Sequence, residues 1–137
     1  MALILVADDD ELVAEVVSQA LSARGHVVGV VENGCDAVRV VELKRPAIVI
    51  MDCAMPDMTG MEALRRIRLS REAHRTPVLM LTGNRSVMDE EIALRAGAND
   101  YLKKPFDPDQ VVAHVEALLA KASKTSAPTA EVAKTTV

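Results

Sequence analysis

Five short aliphatic runs, each divided from the next by a stretch of helical period, set the narrowest limit on how this chain folds. The runs read LILVA (3–7), VVGVV (27–31), AIVIM (47–51), VLML (78–81) and the weaker DYLKK (100–104). Strands with so little polar alternation need cover on both faces, which a parallel sheet flanked by helices supplies. Between them, Val13, Val16, Val17, Ala20 and Leu21 make one helical stripe, and Val111, Val112, Val115, Leu118 and Leu119 make another. Helix starts are marked by Thr59 three residues before Glu62, by Ser86 before Asp89, and by Asp107-Pro108 followed by Gln110. Gly25 and Gly97 follow helical stretches and suit left-handed caps. The pattern is β-α repeated five times, one open α/β domain over residues 1–122. Residues 123–137, SKTSAPTAEVAKTTV, have no apolar period and are expected to form a flexible tail or the start of a linker.

The core of such a domain is aliphatic, because Tyr101 and Phe106 are its aromatic residues. A net charge of −4 disfavours a nucleic-acid surface. No stretch approaches the roughly 18 to 20 apolar residues that span a bilayer, and MALILVADDD lacks the basic start of a secretion signal. Cys35 and Cys53 are too few and too far apart for a disulfide framework or a metal knuckle. They read as reduced packing cysteines, and the expected location is cytoplasmic.

In an open parallel sheet, ligands bind beyond the carboxyl ends of the strands, where the strand order reverses. The first run ends in Asp8, Asp9 and Asp10, the third in Asp52, the fourth in Thr82 and the fifth in Lys104. If the first and third strands are neighbours, Asp8, Asp9 and Asp52 share one pocket. Each residue alone has an ordinary explanation: a helix cap, a strand-end turn, a loop hydroxyl, a solvated lysine. Their conjunction does not. Two carboxylates about 4 Å apart cost on the order of 4 kcal/mol at an effective dielectric near 20. Either the pKa values rise or a cation is present, and an oxygen-only donor set suits Mg²⁺ with room left for a phosphoryl group.

The segments LVADDD, IVIMDCAMPDMTG, VLMLTG and AGANDYLKKPF, in this order and spacing, resemble the receiver domain of two-component response regulators across residues 1 to about 122. The resemblance implies a flavodoxin-like, doubly wound (βα)5 parallel sheet in the order 2-1-3-4-5. It implies that Asp52 takes a phosphoryl group from a phosphohistidine of a sensor histidine kinase or phosphotransfer protein. Asp9, Asp52 and the Ala54 carbonyl would bind Mg²⁺ directly, and Asp8 through a bound water. Lys104, aimed inward by a cis Lys104-Pro105 bond, would pair with a phosphate oxygen or with Asp52 beforehand. Thr82 and Tyr101 would act as the switch. The surface of the fourth helix, fifth strand and fifth helix would report it to a downstream protein, in a monomer or a transient dimer through that face. Such a module assists its own phosphorylation and dephosphorylation but is not a turnover enzyme, and here it would carry no output domain.

Three positions depart from the family pattern: Thr59 where Asp is frequent, the small Ala54, and Gly83 where Ala is common, with Asn84 flanking the same opening. Thr59 can cap a helix as Asp would, so little effect is expected there; Ala54 and Gly83 bear on phosphate lifetime and partner preference. Two other classes fit these residues less well. A Mg²⁺-dependent phosphatase with an aspartyl nucleophile needs a second acid where Ala54 stands. A phosphorylation-independent scaffold has no need of every chemical position being filled.

Overall fold

The computed structural model describes residues 2–83 and 87–136. Along the chain run β1 (Leu3–Ala7), α1 (Glu11–Ser22), β2 (Val27–Val31), α2 (Gly34–Lys44), β3 (Ile48–Asp52), α3 (Gly60–Leu69), β4 (Val78–Thr82), α4 (Val87–Arg95), β5 (Asp100–Lys103) and α5 (Pro108–Thr136). The strands form one parallel sheet in the order β2-β1-β3-β4-β5, as expected. Asn84 and the expected helix start at Ser86 lie outside the described residues.

The sheet is covered on both faces, which is why its strands read as continuous aliphatic runs. Successive side chains of a strand point to opposite sides. Leu5, Ala7, Val49, Met51, Val78 and Met80 face α2, α3 and α4, packing with Ala37, Val41, Ala63, Leu64, Ile67 and Ala93. Ile4, Val6, Ile48, Ile50, Leu79 and Leu81 face α1 and α5, packing with Ala14, Val17, Leu21, Val111, Val115 and Leu118. Burial of each Val, Leu, Ile or Met among them contributes about 1.5–3 kcal/mol before the entropy of ordering the chain is subtracted. The α5 stripe follows the expected positions. The α1 stripe is rotated: Ala14, Val17 and Leu21 are buried, while Val16 stays exposed.

The caps that aim the helices are largely local. Thr59 and Glu62 form the expected capping box of α3. Gln110 reaches back to the Asp107 amide at 2.8 Å. Gly25 (φ 89°) and Gly97 (φ 111°) both sit in the left-handed region. There the His26 N–H bonds to the Leu21 carbonyl and the Ala98 N–H to the Ala93 carbonyl, closing α1 and α4. At the end away from the strands' carboxyl termini, the Arg68 guanidinium donates to the carbonyls of Gly97, His74 and Thr76 and to the Asn99 side chain, stapling α3 to two loops. Among the described residues, no helix is long and apolar enough to cross a membrane.

Candidate functional site

The parallel pairing of β1 with β3 brings the ends of these two strands side by side, with Ala7 opposite Met51. One residue further on, Asp8 and Asp52 meet. Oxygen atoms of Asp8, Asp9 and Asp52 all lie within 4.8 Å of one another. The three consecutive acids divide the work. Asp10 is the N-cap of α1, its side chain accepting from the Leu12 and Val13 amides. Asp8 is buried and accepts from the Asp10 amide at 2.9 Å, while Asp9 stays exposed beside it.

Asp52 is the last residue of β3, opposite Leu81 in the register, and only 6 % exposed. Burial pushes its carboxyl above the ordinary value of 3.8, and the Asp8 charge adds to this; Lys104 and a hydrogen bond from the Ala54 backbone work the other way. Lys104 reaches in from the end of β5, its Nζ 3.2 Å from Asp52 and 3.4 Å from Asp8. Burial alone would lower the Lys104 pKa, but Asp52 and Asp8 together raise it above 10.5. Its backbone is held as well: the Lys104 amide donates to the Thr82 carbonyl at 2.9 Å, and the Lys104-Pro105 bond is cis.

The loop after β3 depends on a missing side chain. A Cβ at Gly60 would run into the Asp52 carbonyl, and the Gly60 amide donates to the Cys53 carbonyl at 2.9 Å. The start of α3 can approach the acid only because residue 60 is glycine.

Thr82 closes β4, is 1 % exposed, and its hydroxyl has no hydrogen-bond partner among the described residues. A buried, unpaired hydroxyl is costly and calls for an explanation. Tyr101 is half-buried on β5 opposite Met80 and packs against the core on the α3 and α4 side. By strand alternation Thr82 points to that same side. Two features escaped the sequence reading. Lys104 contacts two acids rather than Asp52 alone. Lys103 pairs with the buried Glu90 of α4 at 2.9 Å, tying α4 to β5 beside Tyr101. A helix acid and a strand lysine thirteen residues apart carry no joint signal in sequence.

The family model described as the response regulator receiver domain matches residues 4–116. The probable transcriptional regulatory protein TcrX of Mycobacterium tuberculosis is 37% identical over 123 residues, 90% of this chain and 52% of its own length. The response regulator MprA of a Mycobacterium species is 37% identical over 125 residues, 91% of this chain and 54% of its own. The chain thus spans about half the length of the curated relatives it matches. Among solved structures, the receiver domain of a sensor histidine kinase from Pseudomonas aeruginosa PAO1, with a magnesium ion coordinated in its active-site cleft, is 34% identical with a TM-score of 0.80, covering 87% of this chain and 98% of that one. The chemotaxis response regulator CheY4 of Vibrio cholerae is 30% identical with a TM-score of 0.81, covering 86% and 98%.

Proposed function

This chain belongs to the response regulator receiver domain family, a signalling domain of two-component systems, and from that premise we propose that Asp52 accepts a phosphoryl group from a phosphohistidine. The donor is a sensor histidine kinase or a phosphotransfer protein. A bond forms between an Asp52 carboxylate oxygen and phosphorus, the phosphorus–nitrogen bond breaks, and a proton returns to the departing imidazole. A carboxylate is a weak nucleophile, so position and charge neutralisation must carry the reaction.

The observation that carries this reading is the convergence on Asp52: acids from the end of β1 within 4.8 Å and the Lys104 ammonium at 3.2 Å. The donor set fits Mg²⁺, being hard oxygens without histidine or sulfur. Asp9, Asp52 and the Ala54 carbonyl would hold the ion directly and Asp8 through water. When bound, Mg²⁺ would neutralise the crowded carboxylates and the phosphoryl oxygens. Lys104 already spans Asp8 and Asp52 and is placed to transfer its contact to a phosphoryl oxygen. The unpartnered Thr82 hydroxyl would donate to another such oxygen, and Tyr101, on the same side of the sheet, would turn inward behind it. The face built from α4, β5 and α5 then changes for a downstream protein or a second copy of the chain.

The module works in the cytoplasm as a switch rather than a turnover enzyme. Residues 1–122 form the receiver unit, beyond which α5 continues through residues 123–136. The test is incubation with Mg²⁺ and acetyl phosphate, read by intact mass. One phosphoryl group should appear on the native chain and none on Asp52→Asn. Modification of Asp52→Asn to the same extent would remove Asp52 from the role. Failure of both proteins to react would favour a scaffold that works without phosphorylation.

A further inference from the structure

On the α2 side of the sheet, at the end opposite Asp52, a cleft of about 270 Å³ opens between α2 and the strands β1 and β2. Its walls are Leu3, Leu5, Val40 and Pro46, its floor includes Gly29, and Lys44 stands at its rim. Gly29, inside β2, adds no side chain to the cleft. Glycine inside a strand costs roughly 0.5–1 kcal/mol relative to alanine and often marks a bulge, a bend, or a close approach by a ligand or another backbone; the β1–β2 register runs through Gly29 without a bulge. At Gly34 and Gly60 the fold itself demands glycine, since a Cβ would meet the Met58 or the Asp52 carbonyl. Gly29 is different. A Cβ there would meet only the Leu5 Cδ1 atom, at 3.9 Å, and the backbone is not left-handed. Neither a close contact nor a left-handed backbone requires glycine here, and a side chain at this position would project toward Leu5 and into the cleft.

Lys44 supplies the second observation. It is exposed and makes no ion pair among the described residues. It lies in the last turn of α2, where a cation also complements the negative helix end. That task needs no cleft. An apolar hollow with one cation at its mouth matches an amphiphile with an apolar body and a single negative head. We infer that the cleft over Gly29 binds a small amphiphilic carboxylate, its alkyl or aryl part between Val40 and Leu5 and its head at Lys44. This site is separate from the acidic one and does not rest on the phosphoryl chemistry of Asp52.

The experiment is an NMR titration of the ¹⁵N-labelled full chain with octanoate and, in parallel, its uncharged counterpart octanamide. Octanoate should give saturable shifts centred on Gly29, Val40 and Lys44, with a Kd of about 1 mM or tighter. Octanamide should bind more weakly by up to about fivefold, the size of one exposed charge contact, and Lys44→Gln should remove that difference. Gly29→Val fills the floor and should abolish the shifts. Val40→Phe does so from the helix wall and covers the case that the strand variant misfolds. Equal binding of both ligands, unchanged by Lys44→Gln, would overturn the anion assignment and leave an anchor hole for a partner's apolar side chain. Shifts that fail to saturate, spread to exposed Leu43 and Leu69, or survive both filling variants would overturn the site itself.

Discussion

Replacing Asp52 by asparagine should stabilise the metal-free protein, although Asp52 is buried and ion-paired. At an effective dielectric near 20, Lys104 at 3.2 Å contributes about 5 kcal/mol of attraction. Asp8, with an oxygen within 4.8 Å, costs at least about 3.5 kcal/mol. The remainder, under about 2 kcal/mol in favour, is set against several kcal/mol for taking a carboxylate out of water to 6 % exposure. Asparagine avoids most of that penalty, and Lys104 keeps Asp8 at 3.4 Å. The balance is a gain of about 1–2 kcal/mol, or roughly 3–6 °C in Tm. The raised Asp52 carboxyl agrees in sign. Because the folded chain holds that proton more firmly than the unfolded one, stability falls as pH climbs from the ordinary value of 3.8 through the raised one. At neutral pH the native chain carries the full penalty. Thermal and urea unfolding followed by circular dichroism in EDTA, at pH 5 and pH 7.5, measure it. The variant should be the more stable, with the larger margin at pH 7.5. A lower Tm for Asp52→Asn in EDTA at pH 7.5 would refute the reasoning.

Three further substitutions separate architecture from switching. Gly60→Ala drives a Cβ into the Asp52 carbonyl; it should cost about 1–3 kcal/mol in urea unfolding and also weaken Mg²⁺ binding by calorimetry. Thr82→Ala removes a buried hydroxyl without a partner, so stability should stay level or rise by about 1 kcal/mol. The same variant should still accept a phosphoryl group by intact mass while losing the NMR response at Tyr101. Lys104→Ala should keep Mg²⁺ binding and lose phosphorylation-dependent binding to the downstream partner; unchanged partner binding would contradict its coupling role.

Much of the fold was legible because local rules and tertiary burial agree. The aliphatic runs mark β1 to β4, the Thr59–Glu62 box marks α3, and both αL glycines fall at helix ends. The strand order was not readable from the runs themselves, since β-α alternation is compatible with several orders; it came with the family resemblance. On α1 the apolar period includes Val16 and Ala20 beside Val17 and Leu21, but period alone does not fix which edge of the stripe turns inward, and the buried face is Ala14, Val17 and Leu21 with Val16 exposed. The acids Asp8 to Asp10 look alike in sequence. Only the turn from β1 into α1 decides that Asp10 caps the helix and Asp8 is buried against Lys104. Contacts such as Glu90 with Lys103, and the cleft over Gly29, depend on how separate elements meet.

The most direct test is a ¹H–¹⁵N NMR comparison of the native chain in EDTA, with Mg²⁺, and with Mg²⁺ plus beryllofluoride, an analogue of the phosphoryl group. Mg²⁺ alone should perturb Asp8, Asp9 and Asp52, and beryllofluoride should extend the change to Thr82, Tyr101 and Lys103. Mg²⁺ that leaves the acids unperturbed, or beryllofluoride effects that stop at Asp52, would contradict the account.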